Sequence, residues 1–189
     1  AVRSPDYVFK ILGFGTEPGS VNPNDPAWGP ASSLNGMYAE VLSTMAERLG
    51  MPLERVATEH RVFPASTDLQ IGAGVIRQGR VSHFNWRWRG IVQGAPRLTM
   101  SIHWYMETAH LDDPHPPLWR IHVQGQPGVR LSLDMEKRPG DTSPTAAEQI
   151  AVAGTVINAI PIVCAAPPGI VTRPLASPFN FGFAHPLPE

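Results

Sequence analysis

The chain has 189 residues, 42% of them apolar, enough to bury a core as one domain or at most two small ones. Fifteen basic against sixteen acidic side chains leave a net charge of −1, which excludes the electrostatic footprint of a nucleic-acid or anionic-membrane binder. The single cysteine, Cys164, excludes an intrachain disulfide framework; with no basic-then-apolar leader at the N-terminus, it points to a reducing, cytoplasmic setting.

In chain order, Ser4-Pro5-Asp6 predicts a helix start, and the short helix through Tyr7, Val8, Phe9, Ile11 and Leu12 is ended by Gly13 and Gly15. A chain that opens on a capped helix reads as part of a longer polypeptide. Residues 16–32 are rich in proline, asparagine and aspartate and predict a loop. A helix is expected from about Ser33 to Leu49, with Leu34, Met37, Val41, Met45 and Leu49 on its buried face. A strand is expected over Val56–Phe63.

Two alternating runs follow. Phe84, Trp86 and Trp88 interleave with His83, Asn85, Arg87 and Arg89; Leu98, Met100, Ile102, Trp104 and Met106 interleave with Thr99, Ser101, His103, Tyr105 and Glu107. Strict period two on either side of Gly94-Ala95-Pro96 predicts a β-hairpin, with Trp86 opposite Trp104 and Arg87 opposite His103. Strands over Leu118–Gln124 and Val129–Glu136, joined at Gln126-Pro127-Gly128, are expected to extend the same sheet with Trp119, Ile121, Val123, Val129, Leu131, Leu133 and Met135 facing inward. The last helix is expected from Thr142 or Ser143 to about Ile160. The twenty-two uncharged residues from Ile150 to Val171 have the length of a membrane span. Pro161, Pro167 and Pro168 favour instead a buried helix running into a proline-rich turn, with Cys164 a core thiol. The tail after residue 172, with Phe179, Phe181 and Phe183, is expected to pack on something.

The fold expected is α+β, an antiparallel or mixed open β-sheet with helices packed on one face and no Rossmann domain. Residues 1–172 form a substrate-binding and dimerisation domain and 173–189 a proline- and phenylalanine-rich tail. Neither Gly13-Phe14-Gly15 nor Gly72-Ala73-Gly74 sits between a strand and a helix start, so neither reads as a dinucleotide loop. The histidines lack the paired spacing of a metal site, and there is no GxSxG elbow. The polar sheet face carries His83, Asn85, Arg87, Arg89, Ser101, His103, Tyr105, Glu107, Arg120, His122, Arg130, Asp134 and Glu136. It reads equally as a solvated face or a subunit interface, and less strongly as a substrate-cleft wall. Asn158, beside the helix break at Pro161, is either a structural amide or a ligand contact.

The run Asn158-Ala159-Ile160-Pro161-Ile162-Val163-Cys164-Ala165-Ala166-Pro167-Pro168-Gly169-Ile170-Val171-Thr172 resembles the C-terminal signature of the 2,4-diaminopentanoate dehydrogenase and NAD(P)H-dependent amine dehydrogenase family, relatives of dihydrodipicolinate reductase. Val8–Gly15, Trp88–Val92 with the Gly94-Ala95-Pro96 turn, and Thr99–Trp104 resemble it too. The resemblance implies an N-terminal Rossmann domain that binds NAD or NADP, and an α+β domain that closes the cleft over an amine or carbonyl substrate and forms homodimers. This chain matches the second part, so it is expected to bind no cofactor alone. Its implied substrate contacts are Trp88, Arg89, His103, Asn158 and Pro161, with no residue assigned a catalytic role and none a metal. The basic cluster of the lysine-biosynthesis reductase is absent. The other reading is a ligand-binding or dimerisation module without catalysis.

Overall fold

The computed structural model describes Phe9 and residues 11–171. The capped start at Ser4-Pro5-Asp6 and the tail with Phe179, Phe181 and Phe183 lie outside the described residues. The chain divides into two compact units, Ala1–Pro116 and Pro117–Glu189. It is α+β with open antiparallel sheets.

In the first unit, helix α1 (Gly29–Arg48) lies against a four-stranded sheet. Strand β5 (Val81–Val92) is its centre. Strand β6 (Ala95–Tyr105) pairs along one edge of β5, while β1 (Arg55–Thr58) and β2 (Arg61–Pro64) share the other. The hairpin parity is as the alternation predicts, but the register differs by one pleat: Phe84 faces Trp104, Trp86 faces Ile102 and Asn85 faces His103. The difference lies at the turn. Gln93 (φ 52°) and Gly94 (φ 71°) form a two-residue reversal with both φ positive, the geometry that matches strand twist, so Ala95 and Pro96 already belong to β6. A bulge between Gly90 and Ile91 takes up the odd residue. A Cβ at Gly90 would meet Leu53 Cδ1 at 2.8 Å and Leu98 Cβ at 3.2 Å, so a side chain there would push Leu53 aside.

Phe84, Trp86 and Trp88 stack along β5 at ring spacings of 5.6 and 6.2 Å, and all three are buried beneath α1. The helix begins four residues before Ser33 and packs through Ala31, Leu42 and Ala46, with Leu34 and Tyr38 beside them. The expected stripe is mostly outside: Met37, Val41, Met45 and Leu49 are exposed. Small residues let the helix approach closely, and Tyr38 reaches Trp88 at 4.3 Å; the larger apolar stripe cannot get as near.

The expected strand at 56–63 is two strands, interrupted at Glu59 and His60. His60 is buried in that break, its Nδ1 accepting the Arg87 backbone N–H at 2.9 Å. Nε2 must then carry the proton, which it donates to Asn35 Oδ1 at 2.9 Å; the same oxygen accepts Trp88 Nε1–H at 2.8 Å. A small hairpin, β3 (Leu69–Ile71) and β4 (Gly74–Ile76), turns at Gly72-Ala73, and this is where one of the glycine pairs lies.

In the second unit, β7 (Trp119–Val123) and β8 (Val129–Leu133) form their own two-stranded sheet and do not extend the first. Trp119, Ile121, Val123, Val129, Leu131 and Leu133 share one face as expected, but each is 44–54% exposed, so none faces inward among the described residues. Arg120, His122 and Arg130 therefore project from this separate sheet and not from the polar face of β5–β6. Helix α2 (Ala147–Ala165) starts later than Ser143, because Gln149 Oε1 accepts the Ala146 N–H and Asp141 holds Ser143 in a turn. It also continues through Pro161. It is not the buried helix expected: Val152, Val156 and Ile157 are 62–65% exposed, and Cys164 is exposed too. By length and composition alone α2 is long and apolar enough to cross a membrane.

Candidate functional site

Antiparallel pairing sends directly opposed side chains to the same side of a sheet. On the side of β5 away from α1 this builds rows: Phe63, His83 and Tyr105; then Arg61, Asn85 and His103; then Arg87 beside Ser101; then Arg89 beside Thr99. The polar residues predicted for β5 and β6 do share a face, and the central ones lie deep in it. His83 is fully buried and Asn85 is 6% exposed.

His83 Nε2 and His103 Nδ1 are 2.9 Å apart. His83 is sandwiched by Phe63 at 4.8 Å and approached by Tyr105 and His110. Burial, then the neighbouring His103 and His110, pull its pKa down to about 4; Glu107 acts weakly the other way. His103 is lowered as well, by burial and then by Arg87. Both imidazoles are therefore neutral at physiological pH. His83 Nδ1 has no partner among the described residues. A buried N–H without an acceptor is rarer and costlier than a bare lone pair, so the proton sits on His83 Nε2 and is donated to His103 Nδ1. His103 then presents Nε2–H outward.

The segment after β6 closes over one end of this face. His110 stacks on Phe63 at 5.0 Å and its Nε2 lies 2.8 Å from the Pro64 carbonyl. Glu107 accepts hydrogen bonds from the Ser66 N–H and from the Ser66 and Ser82 hydroxyls. Phe9, Leu12, Phe14, Trp104 and Met106, with His103 and Tyr105, line an open, mainly apolar cavity of about 380 Å³ at the end of β6.

Of the five predicted contacts, three belong to the first unit and two to the second. Trp88 is buried on the α1 side with its indole N–H committed to Asn35, whereas its neighbour Arg89 lies on the opposite face, paired with Glu59 at 2.7 Å. His103 shares the polar face with Arg89. Asn158 and Pro161 are on α2, in the other unit. His60, His83 and Asn85 as a buried polar set were not singled out. Alternation placed His83 and Asn85 on the polar face, but their burial comes from β2 and the loop carrying His110, which the period alone does not reveal. Among the described residues no three histidine, cysteine, aspartate or glutamate side chains converge as a metal site requires.

No family model matches the sequence, and no curated protein matches it. Among solved structures the chain is similar to the amine dehydrogenase from Mycobacterium smegmatis, with a TM-score of 0.57 and 20% sequence identity. The match covers 92% of this chain and 48% of the dehydrogenase, so the chain spans about half the length of that protein. At this identity the likeness is one of fold.

Proposed function

We propose that this chain is the substrate-binding and dimerisation domain of an NAD(P)-dependent oxidoreductase acting on an imine or amine. The observation that carries the reading is the unequal coverage: 92% of the chain follows 48% of an amine dehydrogenase. The 158–172 signature run supports it independently of the fold. In such an enzyme this domain supplies pocket walls and keeps water out, while the nucleotide is held elsewhere in the polypeptide. Neither glycine pair suits the cofactor's pyrophosphate. A pyrophosphate cradle needs free amides at a helix start after a strand, whereas Gly72-Ala73 is a hairpin turn and Gly13 and Gly15 follow helical backbone.

Isothermal titration of the 189-residue chain with NADH and with NADPH should therefore give no saturable heat. The polypeptide extended by whatever coding sequence precedes Ala1 should bind one of them and reduce an imine formed from a carbonyl and an amine. Saturable one-to-one binding to the chain alone, or an extension with no nucleotide fold, would overturn the reading.

The proposal brings two partners, a nucleotide-binding domain in the same polypeptide and a second copy. The apolar residues exposed on β7–β8 and on α2 support the need for such partners, because contiguous apolar surface of this kind marks association sites. Sedimentation equilibrium at micromolar concentration is expected to give about twice the 20.6 kDa chain mass. A clean monomer would remove the dimer from the proposal.

A further inference from the structure

We propose that the open edge of β6 receives residues 179–183 of a second copy of this chain as an added strand, with a phenylalanine seated in the apolar cavity at the end of β6. This rests on the dimer proposed above and names what holds it, and the two can fail separately.

The Met106 N–H donates to the Ser82 carbonyl, so Met106 and, by alternation, Trp104, Ile102 and Met100 turn their backbone groups towards β5. Thr99, Ser101, His103 and Tyr105 turn theirs outward, where no strand pairs with them among the described residues. Proteins guard such an edge with lysine, proline or a bulge. Residues 98–105 contain no proline, no glycine and no formal charge, and the hairpin's bulge lies near its turn, between Gly90 and Ile91. An unguarded edge is a template for a further strand, which main-chain hydrogen bonds hold and pockets for alternate side chains select. Such a pocket is present. His103 and Tyr105 border the cavity from one face of the sheet and Trp104 and Met106 from the other, so it lies beyond the strand and on neither face. Phe9, Leu12 and Phe14 complete its walls, and its volume of about 380 Å³ suits an aromatic side chain.

The occupant is read from the sequence beyond the described residues. Phe179-Asn180-Phe181-Gly182-Phe183 alternates with period two, so as a strand it presents three phenylalanines on one side. Laid beside β6, that side continues the apolar parity of Met100, Ile102 and Trp104, and aromatic neighbours across such a pair are stabilising. No formal charge lies between Arg173 and Glu189, which suits an edge that also carries none. Pro178 and Pro186 flank the run, and prolines there keep yet another strand from adding. Phe179 is the eighth residue after Val171, an extended reach of about 25 Å. Closed two-fold symmetry lets each copy give one such segment and take one.

Hydrogen exchange of the full chain, read amide by amide by NMR, tests this. In the parent, the Thr99, Ser101, His103 and Tyr105 amides should exchange at least about tenfold more slowly than in the triple variant Phe179→Ser, Phe181→Ser, Phe183→Ser. Met100, Ile102 and Trp104, bonded to β5, should be equally protected in both, which shows that the sheet is intact. Should the triple variant lose these too, Phe181→Ser alone decides. Isotopically labelled variant mixed with about a tenfold excess of unlabelled parent should then recover protection of the four outward amides, because only another copy can supply the phenylalanines. Equal exchange of those amides in parent and variant overturns the proposal. Protection that is lost in the variant and not recovered on mixing overturns it as well. Sedimentation equilibrium of the same samples keeps the dimer separate: a parent dimer with unprotected outward amides leaves the dimer standing and removes this interface.

Discussion

Trp88→Ala is expected to cost roughly 3–5 kcal/mol of unfolding free energy, the range of buried large-aromatic truncations. The indole is fully buried, stacked within 4.3 Å of Tyr38 and edge-on to His60 at 5.0 Å. Removing it opens a cavity between α1 and the sheet, and takes one of the two donors from Asn35 Oδ1. It also ends the aromatic ladder that runs through Phe84 and Trp86. Trp104 lies on the same apolar parity of the hairpin but on its edge strand, only partly buried and lining the cavity at the end of β6. Its truncation should cost about half as much, because solvent already reaches part of the ring. Urea denaturation of the two variants checks the ordering. A larger loss for Trp104→Ala would show that the core is centred on β6 and not beneath α1.

That ordering could not be read from the sequence, although the hairpin could. Alternation fixes which residues share a face, and so the pairing of β5 with β6 was legible to within one pleat. It says nothing about which strand is central: β5 becomes so only because two short strands, split at His60, return to its other edge. The same limit explains β7 and β8. Their six apolar residues identify an apolar face, but periodicity carries no information about what covers it. In α1 two apolar stripes compete; the one with alanines and Tyr38 packs because close approach outweighs side-chain size. The candidate site was half legible. His103, Arg87 and Asn85 were placed on one face by parity alone, whereas the burial of His83 and Asn85 depended on β2 and on the loop carrying His110. Trp88 and Arg89, adjacent on a strand, necessarily point opposite ways, so the parity that revealed the strand already put them on different faces.

The first unit should lose stability steeply as pH falls from about 6.5 towards 4. His60 and His83 are both held at about 4 by burial, His83 with further help from His103 and His110, against 6.5 for an unperturbed imidazole. Above 6.5 both states hold these rings neutral and nothing is lost. Between 6.5 and 4 the unfolded chain takes up two protons that the folded chain refuses, so the unfolding free energy falls with each step down in pH. Two such shifts of this size amount to at most about 3 kcal/mol each, fully expressed near pH 4, a large part of the 5–15 kcal/mol typical of a domain. His103 shifts in the same direction and steepens the fall. Glu107 belongs to a lower window: burial pushes its pKa up, but the Ser66 and Ser82 hydrogen bonds bring it net below 4.5, so its contribution disappears only under that pH. Urea midpoints measured from pH 8 to 4.5 should therefore be flat at the top and drop below about pH 6.5, with a slope near pH 5 that approaches two protons. His83→Phe should remove one proton from that slope, since Phe63 stacks on its ring and leaves an aromatic replacement a place to sit. Stability that stays level down to pH 4.5 would mean that water reaches these imidazoles, and that the layer formed by Phe63 and His110 is open in solution.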